Sequence, residues 1–211
     1  TGSVRARSLV ERNGRIVLDG GDGGTTLVSG DIDATGAQAG STGGEIQVLG
    51  HHVGITSSAT LDASGSAGGG NVLVGGDYQG RNAAVRNAQA TFIGQDTTLR
   101  ADAIESGDGG RVIAWGDEAT RAYGSFSARG GANGGNGGLI ETSGKYLDTA
   151  GARVSASSAQ GAAGQWLLDP ANITVSTFPT SGGTLPNFTA NVAFASVLNT
   201  DINTALNAGT N

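Results

Sequence analysis

The sequence predicts an all-β fold, a right-handed parallel β-helix with three short strands in each coil of 20–28 residues and one short helix near the C-terminus. Three observations predict it. A Gly-Gly pair followed by a six-residue strand-like block recurs along the chain. A second block, with a large apolar first residue and Ala third, recurs between these pairs. The stretch 134–175 holds one whole unit and most of another, so that the pattern restarts after about 26 residues. A period of this length marks a repeat in which no unit can bury its apolar face alone and the stack becomes the core.

Residues 1–13 are polar, and Arg15-Ile16-Val17-Leu18-Asp19 is the first clear strand, expected as the third strand type of an incomplete first coil. The first block follows Gly23-Gly24 (TTLVSG), Gly43-Gly44 (EIQVLG), Gly69-Gly70 (NVLVGG), Gly109-Gly110 (RVIAWG) and Gly137-Gly138 (LIETSG), with a decayed copy after Ala163-Gly164 (QWLLDP). Side chains alternate faces along a strand, so positions two and four of the block share one face. Position two reads Thr26, Ile46, Val72, Val112, Ile140, Trp166, and position four reads Val28, Val48, Val74, Ala114, Thr142, Leu168. These columns are the predicted interior. Position three, Leu27, Gln47, Leu73, Ile113, Glu141, Leu167, is expected to face outward.

The second block begins at Ile32, Leu61, Leu99, Phe126 and Val154 and carries Ala34, Ala63, Ala101, Ala128 and Ala156 at its third position, with polar residues between. That alternation reads as a strand buried on one face. The column of Ala implies a tight interior where a larger side chain would overpack.

The second glycines, at 24, 44, 70, 110, 138 and 164, are separated by 20, 26, 40, 28 and 26 residues. The spacing of 40 holds about a dozen surplus residues, and a solenoid places insertions in corner loops. An insertion at about 77–94 is therefore predicted, with 77–87 leaving the rod and lying back on it and Thr91-Phe92-Ile93 returning as a strand. The expected domains are coils over 1–175 and a C-terminal extension over 176–211. In the extension, 176–186 reads as a loop, 187–198 as β-prone, and 201–208 as a helix capped by Thr200 and stopped by Gly209.

The chain has 211 residues, 39 of them Gly, with no Cys and no Met, and 12 basic against 18 acidic residues give a net charge of −6. Gly at this level usually signals low complexity, but the alternating apolar blocks argue for packed coils. The acidic balance and a single Lys, Lys145, argue against nucleic-acid binding. No run of about 18 apolar residues predicts a membrane span. Without Cys there is neither a disulfide nor a thiolate metal site. Without an initiator Met or a signal peptide, the chain reads as a segment of a longer protein.

Gly75-Gly76-Asp77-Tyr78-Gln79-Gly80 with Asn87-Ala88 and Thr91-Phe92-Ile93-Gly94 resembles a recurrent block of filamentous-haemagglutinin-like exoproteins, the large adhesins of two-partner secretion in Gram-negative bacteria. So does GGLIETSG at 137–144 followed by WLLDPANIT at 166–174, and the resemblance spans about residues 20–211. It implies a shaft segment downstream of the secretion domain, located extracellularly or on the outer surface. The implied role is attachment, aggregation or biofilm-matrix scaffolding. The implied partners are an outer-membrane transporter, acting through a domain not present here, and a host-surface or matrix glycan or protein. The stalk of a contact-dependent toxin-delivery exoprotein is the alternative, and a polysaccharide-acting β-helix enzyme a more distant one.

Chemistry-bearing residues are few, and neither a catalytic site nor a cofactor is expected. Asp33 and Asp62 hold the same position in successive coils, where stacked carboxylates need a cation or an Arg. With Asp31 they carry a calcium reading, against the plainer one of solvated carboxylates beside Thr35 and Ser64. His51 and His52 are adjacent and so point to opposite faces, a poor geometry for one metal. An enzyme of this fold would need converging acidic residues and aromatic platforms, whereas Asp31, Asp33, Asp62, Arg100, Tyr78 and Tyr123 scatter. Leu73 and Ile113, apolar at outward positions, call for a cover or a partner. Either Tyr78, Val85 or Phe92 folds over them, or they form a partner surface together with Tyr78 and Tyr123.

Overall fold

The computed structural model describes residues 3–5, 14–171, 173–176 and 195–209, and within them the chain winds through about six coils of a right-handed parallel β-helix. Ladder A joins Arg15–Asp19, Glu45–Leu49, Asn71–Val74, the first part of Arg111–Ala122, the first part of Leu139–Asp148, and Gln165–Asp169. Ladder B joins Thr25–Val28, His52–Ile55, Ala90–Ile93 and the second parts of the same two long strands. Ladder C joins Ser3–Arg5, Asp31–Asp33, Thr60–Asp62, Thr98–Arg100, Ser125–Ser127 and Arg153–Ser155. Every pairing is parallel. Arg111–Ala122 and Leu139–Asp148 each run round the corner between A and B, with an irregularity between Gly116 and Ala119, and so fuse the two ladders into one sheet.

The predicted interior columns are buried. Ile46, Val72, Val112 and Ile140 lie in register and inaccessible, with Val48, Val74, Ala114 and Thr142 beside them. Trp166 and Leu168 of the last coil are half-buried, and the Trp166 indole N–H donates to Thr142 Oγ1 at 3.0 Å. Ladder C supplies the opposite wall through Ile32, Leu61, Leu99, Phe126 and Val154, and its five Ala are inaccessible.

One assignment is corrected. The block after Gly23-Gly24 belongs to ladder B, and Arg15–Asp19 is not a third strand type but the first rung of ladder A. Ile16 and Leu18, rather than Thr26 and Val28, precede Ile46 and Val48 in their columns. Period-two alternation reports which face a residue takes but not which of three ladders it joins, and two short glycine-flanked strands read alike.

The corners explain the paired glycines. At the corners from C to A the second glycine donates its N–H to the carbonyl of the interior Ala on its own coil, as Gly70 does to Ala63 and Gly110 to Ala101, both at 2.8 Å. A Cβ on Gly69 would collide with the Ala101 carbonyl, and one on Gly110 with the Gly70 carbonyl. The turn from C to A is thus too closely stacked for any side chain. At the corner from A to B, interior hydroxyls serve instead. Thr26, Thr91 and Thr120 donate to the carbonyls of Leu49, Trp115 and Ser143 on the following coil, at 2.6, 2.5 and 2.6 Å. Val53 occupies that position in the second coil, and there the following coil's Gly75 carbonyl accepts from Ala88 N–H at 2.6 Å.

Residues 75–89 leave the ladders and return as Ala90–Ile93. The C-terminal calls at 177–194 lie outside the described residues. Ile173–Ser176 pairs in parallel with Ala195–Leu198 as a separate two-stranded sheet, and the helix Asn199–Asn207 lies against Arg153–Ser155. Thr200 is inside the helix, not its cap, and its carbonyl accepts from the Thr204 hydroxyl at 2.7 Å. Gly209, at φ +77°, ends the helix as expected.

Candidate functional site

Two outer faces concentrate the polar chemistry of the chain. On ladder C, alternation turns Asp33, Asp62, Arg100 and Ser127 outward in one row. Asp33 Oδ1 accepts from the Thr35 backbone N–H at 3.0 Å and from its hydroxyl at 2.7 Å. Asp62 Oδ1 accepts from Ser64 N–H at 2.9 Å, and its Oδ2 lies 3.3 Å from the Arg100 guanidinium. Asp31 Oδ1 accepts from Thr60 N–H at 3.1 Å. The three residues of the calcium reading are thus bound to backbone amides, a hydroxyl and an arginine, and among the described residues no group of three His, Cys, Asp or Glu side chains could hold a metal ion. A carboxylate stacked one coil from another gains from local N–H donors and from a guanidinium on the next rung, without a cation.

The strongest pair on this face was not anticipated. Asp102 is buried, accepts from Arg129 Nε and NH2 at 3.1 and 2.7 Å, and also takes the Ser127 hydroxyl at 2.5 Å and Arg129 N–H at 2.7 Å. These bonds raise the Arg129 guanidinium above its ordinary value, with the hydrogen bond to Asp102 the main cause and its charge the next. Arg100, Arg129, Asp62, Asp102 and Ser157 line an open groove of about 530 Å³ under the overhanging corner loops that carry Ile104 and Ala132. Its floor is charge-paired rather than free.

The second face is the outer side of ladder A. Leu73 and Ile113 are 1% and 0% exposed, so they form no surface patch. The partner-surface reading of these two residues is therefore corrected, and the cover reading holds in part. Of the three candidate covering residues, Val85 is buried at 6% exposure, whereas Tyr78 at 41% and Phe92 at 38% face solvent. Phe92 sits on ladder B, where its ring meets Tyr123 edge to face at 5.9 Å. Tyr123 is half-buried and donates to Asp148 Oδ2 at 2.8 Å, and burial together with that carboxylate pushes its phenol well up.

The cover is a strap anchored at both ends and along its length. Asp77 accepts from Tyr78 N–H and from Asn82 Nδ2, both at 2.7 Å, and lies 3.4 Å from the Arg111 guanidinium. Gly76 and Gly80 pass so close to the Trp115 ring that a Cβ on either would collide with it. Asn87 ties the returning limb to the Gly80 carbonyl at 2.9 Å and to Asp117 at 3.1 Å. Gln79, at φ +54°, aims its backbone N–H at both oxygens of Glu141, 3.2 and 3.1 Å away, two coils ahead of the strand the strap leaves. Arg86 reaches the other way, to Asp19 at 3.1 Å and to Asp22, two coils behind. Glu141 continues the outward row of Leu73 and Ile113 and is fully buried. Burial raises its carboxyl above the ordinary range, opposed by the Gln79 N–H.

His51 lies just before the strand that starts at His52, so the two rings do not take opposite faces as expected but meet edge to face at 4.5 Å. Asp33 and Asp62 lie in register on ladder C, and Asp31 on the same ladder bonds the Thr60 amide, but Tyr78 and Tyr123 lie on other faces. Arg129 and Asp102 were legible only as polar positions flanking Ala128 and Ala101. No helix among the described residues is long and apolar enough to cross a membrane.

No protein-family profile matches the chain, and no curated protein sequence does. Among solved structures it is similar to the HMW1 secretion domain from Haemophilus influenzae, with 30% identity and a TM-score of 0.65 over 79% of this chain. The chain spans 42% of that domain's length.

Proposed function

We propose that the chain is a β-helical portion of a large exoprotein exported by two-partner secretion and that its role is structural, in an extracellular or surface-attached adhesin. The observation that supports this most is the 30% identity to the HMW1 secretion domain across most of the chain, on a shared fold. The outer surface fits a structural role. Its carboxylates and guanidinia are tied to one another along the rod, as in Asp62–Arg100 and Asp102–Arg129, rather than gathered around a vacant centre. No enzymatic role is proposed: Asp33, Asp62 and Arg100 share one outward row in which Asp62 and Arg100 are paired, and Tyr78 and Tyr123 stand on other faces. Attachment to a glycan or protein of a host surface or matrix, or carriage of a toxin module elsewhere in the protein, are the roles such a rod would serve.

The identity of the neighbour favours a second reading of where the segment lies. A likeness to a secretion domain supports placing it within the secretion region itself, facing the outer-membrane transporter, rather than in the shaft downstream. One experiment separates the two. Residues 15–171 are deleted from the full-length exoprotein, and export and attachment of cells to a surface are measured separately. Loss of export supports the secretion-region reading. Intact export with lost attachment supports the shaft. Unchanged export and attachment overturn both.

A further inference from the structure

We infer that residues 75–89 form a proton-linked strap, whose closure over ladder A is favoured when Glu141 is protonated and whose release is favoured when Glu141 is ionised. The geometry carries this. Glu141 lies in the outward row Val17, Gln47, Leu73, Ile113, Glu141, Leu167, and it is fully buried. Its carboxylate is held by the backbone N–H of Gln79, a strap residue that takes a left-handed conformation to present it. The groups fixing that conformation all belong to the strap or its seat: Asp77, Asn82, Arg111 and Trp115. The two ends of the strap are tied to the coils by backbone bonds, Gly75 to Val48, Gln89 to His51, and Asp117 and Glu118 to Ala88 and Gln89. The backbone-to-backbone bonds of residues 76–87 stay within the strap, so this middle stretch can lift without unpairing a coil.

The sign follows from solvation. An ionised carboxylate in the closed state has lost its water, and the Gln79 amide and the Ser143 hydroxyl, which both favour the charge, do not outweigh that loss. In the lifted state Glu141 is hydrated and ordinary. The closed state therefore holds the proton more tightly, in line with the raised carboxyl, whose largest cause is burial. Charged groups facing it add in the same direction. Asp77 approaches from the strap and Asp169 from the following coil, and both oppose ionisation, while the nearby Arg111 is engaged by Asp77 and Asn71. Closing takes up a proton, so the contribution of Glu141 to closure is fully present below the lifted-state value of the carboxyl and is lost as pH rises through the higher closed-state value. Lifting would bare Leu73 and Ile113, making the same row apolar surface at one pH and covered at another.

Amide hydrogen exchange of the full chain, corrected for intrinsic rates, tests the proposal. Protection of the Gln79 and Val85 amides is expected to fall as pH rises from the ordinary carboxyl value, about 4.3, through the closed-state one, by about tenfold for each unit that closure raises the carboxyl. Protection of interior amides such as Val72 and Val112 is expected to stay constant. Glu141→Gln, which keeps the acceptor and removes the charge, is expected to hold the strap closed at all these pH values. Asp169→Asn, on an exposed position, is expected to make the fall shallower and serves if the first variant does not fold. Constant protection at Gln79 in the parent chain overturns the proposal, as does a fall that persists unaltered in Glu141→Gln or, where that variant does not fold, in Asp169→Asn.

Discussion

Ile46, Val72, Val112 and Ile140 point into the β-helix, and Gln47, Leu73, Ile113 and Glu141, one residue further along the same strands, point out of it, yet both rows are buried. The inner row is buried by repetition. Each coil covers the next, and ladder C closes the far wall with Phe126 and its neighbours. The outer row is buried by a single departure from the repeat, the strap over residues 75–89. Ladder B shows what happens without one. There Leu27 is 66% exposed, and Gly54, beside it in register, leaves it room. Repetition tolerates only apolar or small residues, because every position faces a copy of itself. A unique cover can carry a buried carboxylate, because it can bring one donor to one atom.

The largest expected effect breaks the inner side. Phe126→Ala should cost about 3–5 kcal/mol, as large-to-small changes in packed cores do, and thermal unfolding should shift as one transition. Trp166→Ala should cost less, since Trp166 is half-buried, and iodide should quench its fluorescence only in part. Ala101→Leu should cost about 1–3 kcal/mol through overpacking, read from denaturant midpoints. A stability unchanged by Ala101→Leu would mean that the ladder C wall is looser than its inaccessible Ala imply.

On the outer side the effects should be smaller and local. Val85→Ala should cost about 1.5 kcal/mol, from two carbons at roughly 0.8 kcal/mol each. The loss should appear in exchange of strap amides rather than in those of Val72 or Val112. Alkaline titration offers an independent check. Burial pushes the Tyr146 phenol up to about 12 and Tyr123 further. Each folded-state value lies above the unfolded one, so the unfolded chain loses these protons first. Stability is fully present below about pH 10 and falls as pH rises through the folded values, which base unfolding followed by phenolate absorbance would register. The smallest effect belongs to Arg86→Ala. Its partners Asp19 and Asp22 are exposed, so the change should stay within about 1 kcal/mol and vanish in high salt.

The interior was legible because it repeats. Five coils wrote the same alternation, and the Gly-Gly pairs and Ala columns marked corners where backbone stacks on backbone. The surplus of the 40-residue spacing announced the strap, and the outward Leu73 and Ile113 announced what it covers. The covering residue was narrowed only to Tyr78, Val85 or Phe92, because a loop that occurs once leaves no second copy to compare.

The sequence by itself determined the strands, the face each residue takes and the glycine corners, since these depend on side-chain period and on room for a Cβ, both local properties. Tertiary structure alone decided which ladder Thr25–Val28 joins, since alternation is the same on all three walls. It also decided that Asp62 meets Arg100, that Asp102 meets Arg129, and that Gln79 meets Glu141 from 62 residues away. Contacts between coils depend on how many residues each corner consumes, and that count is fixed only when the coils stack.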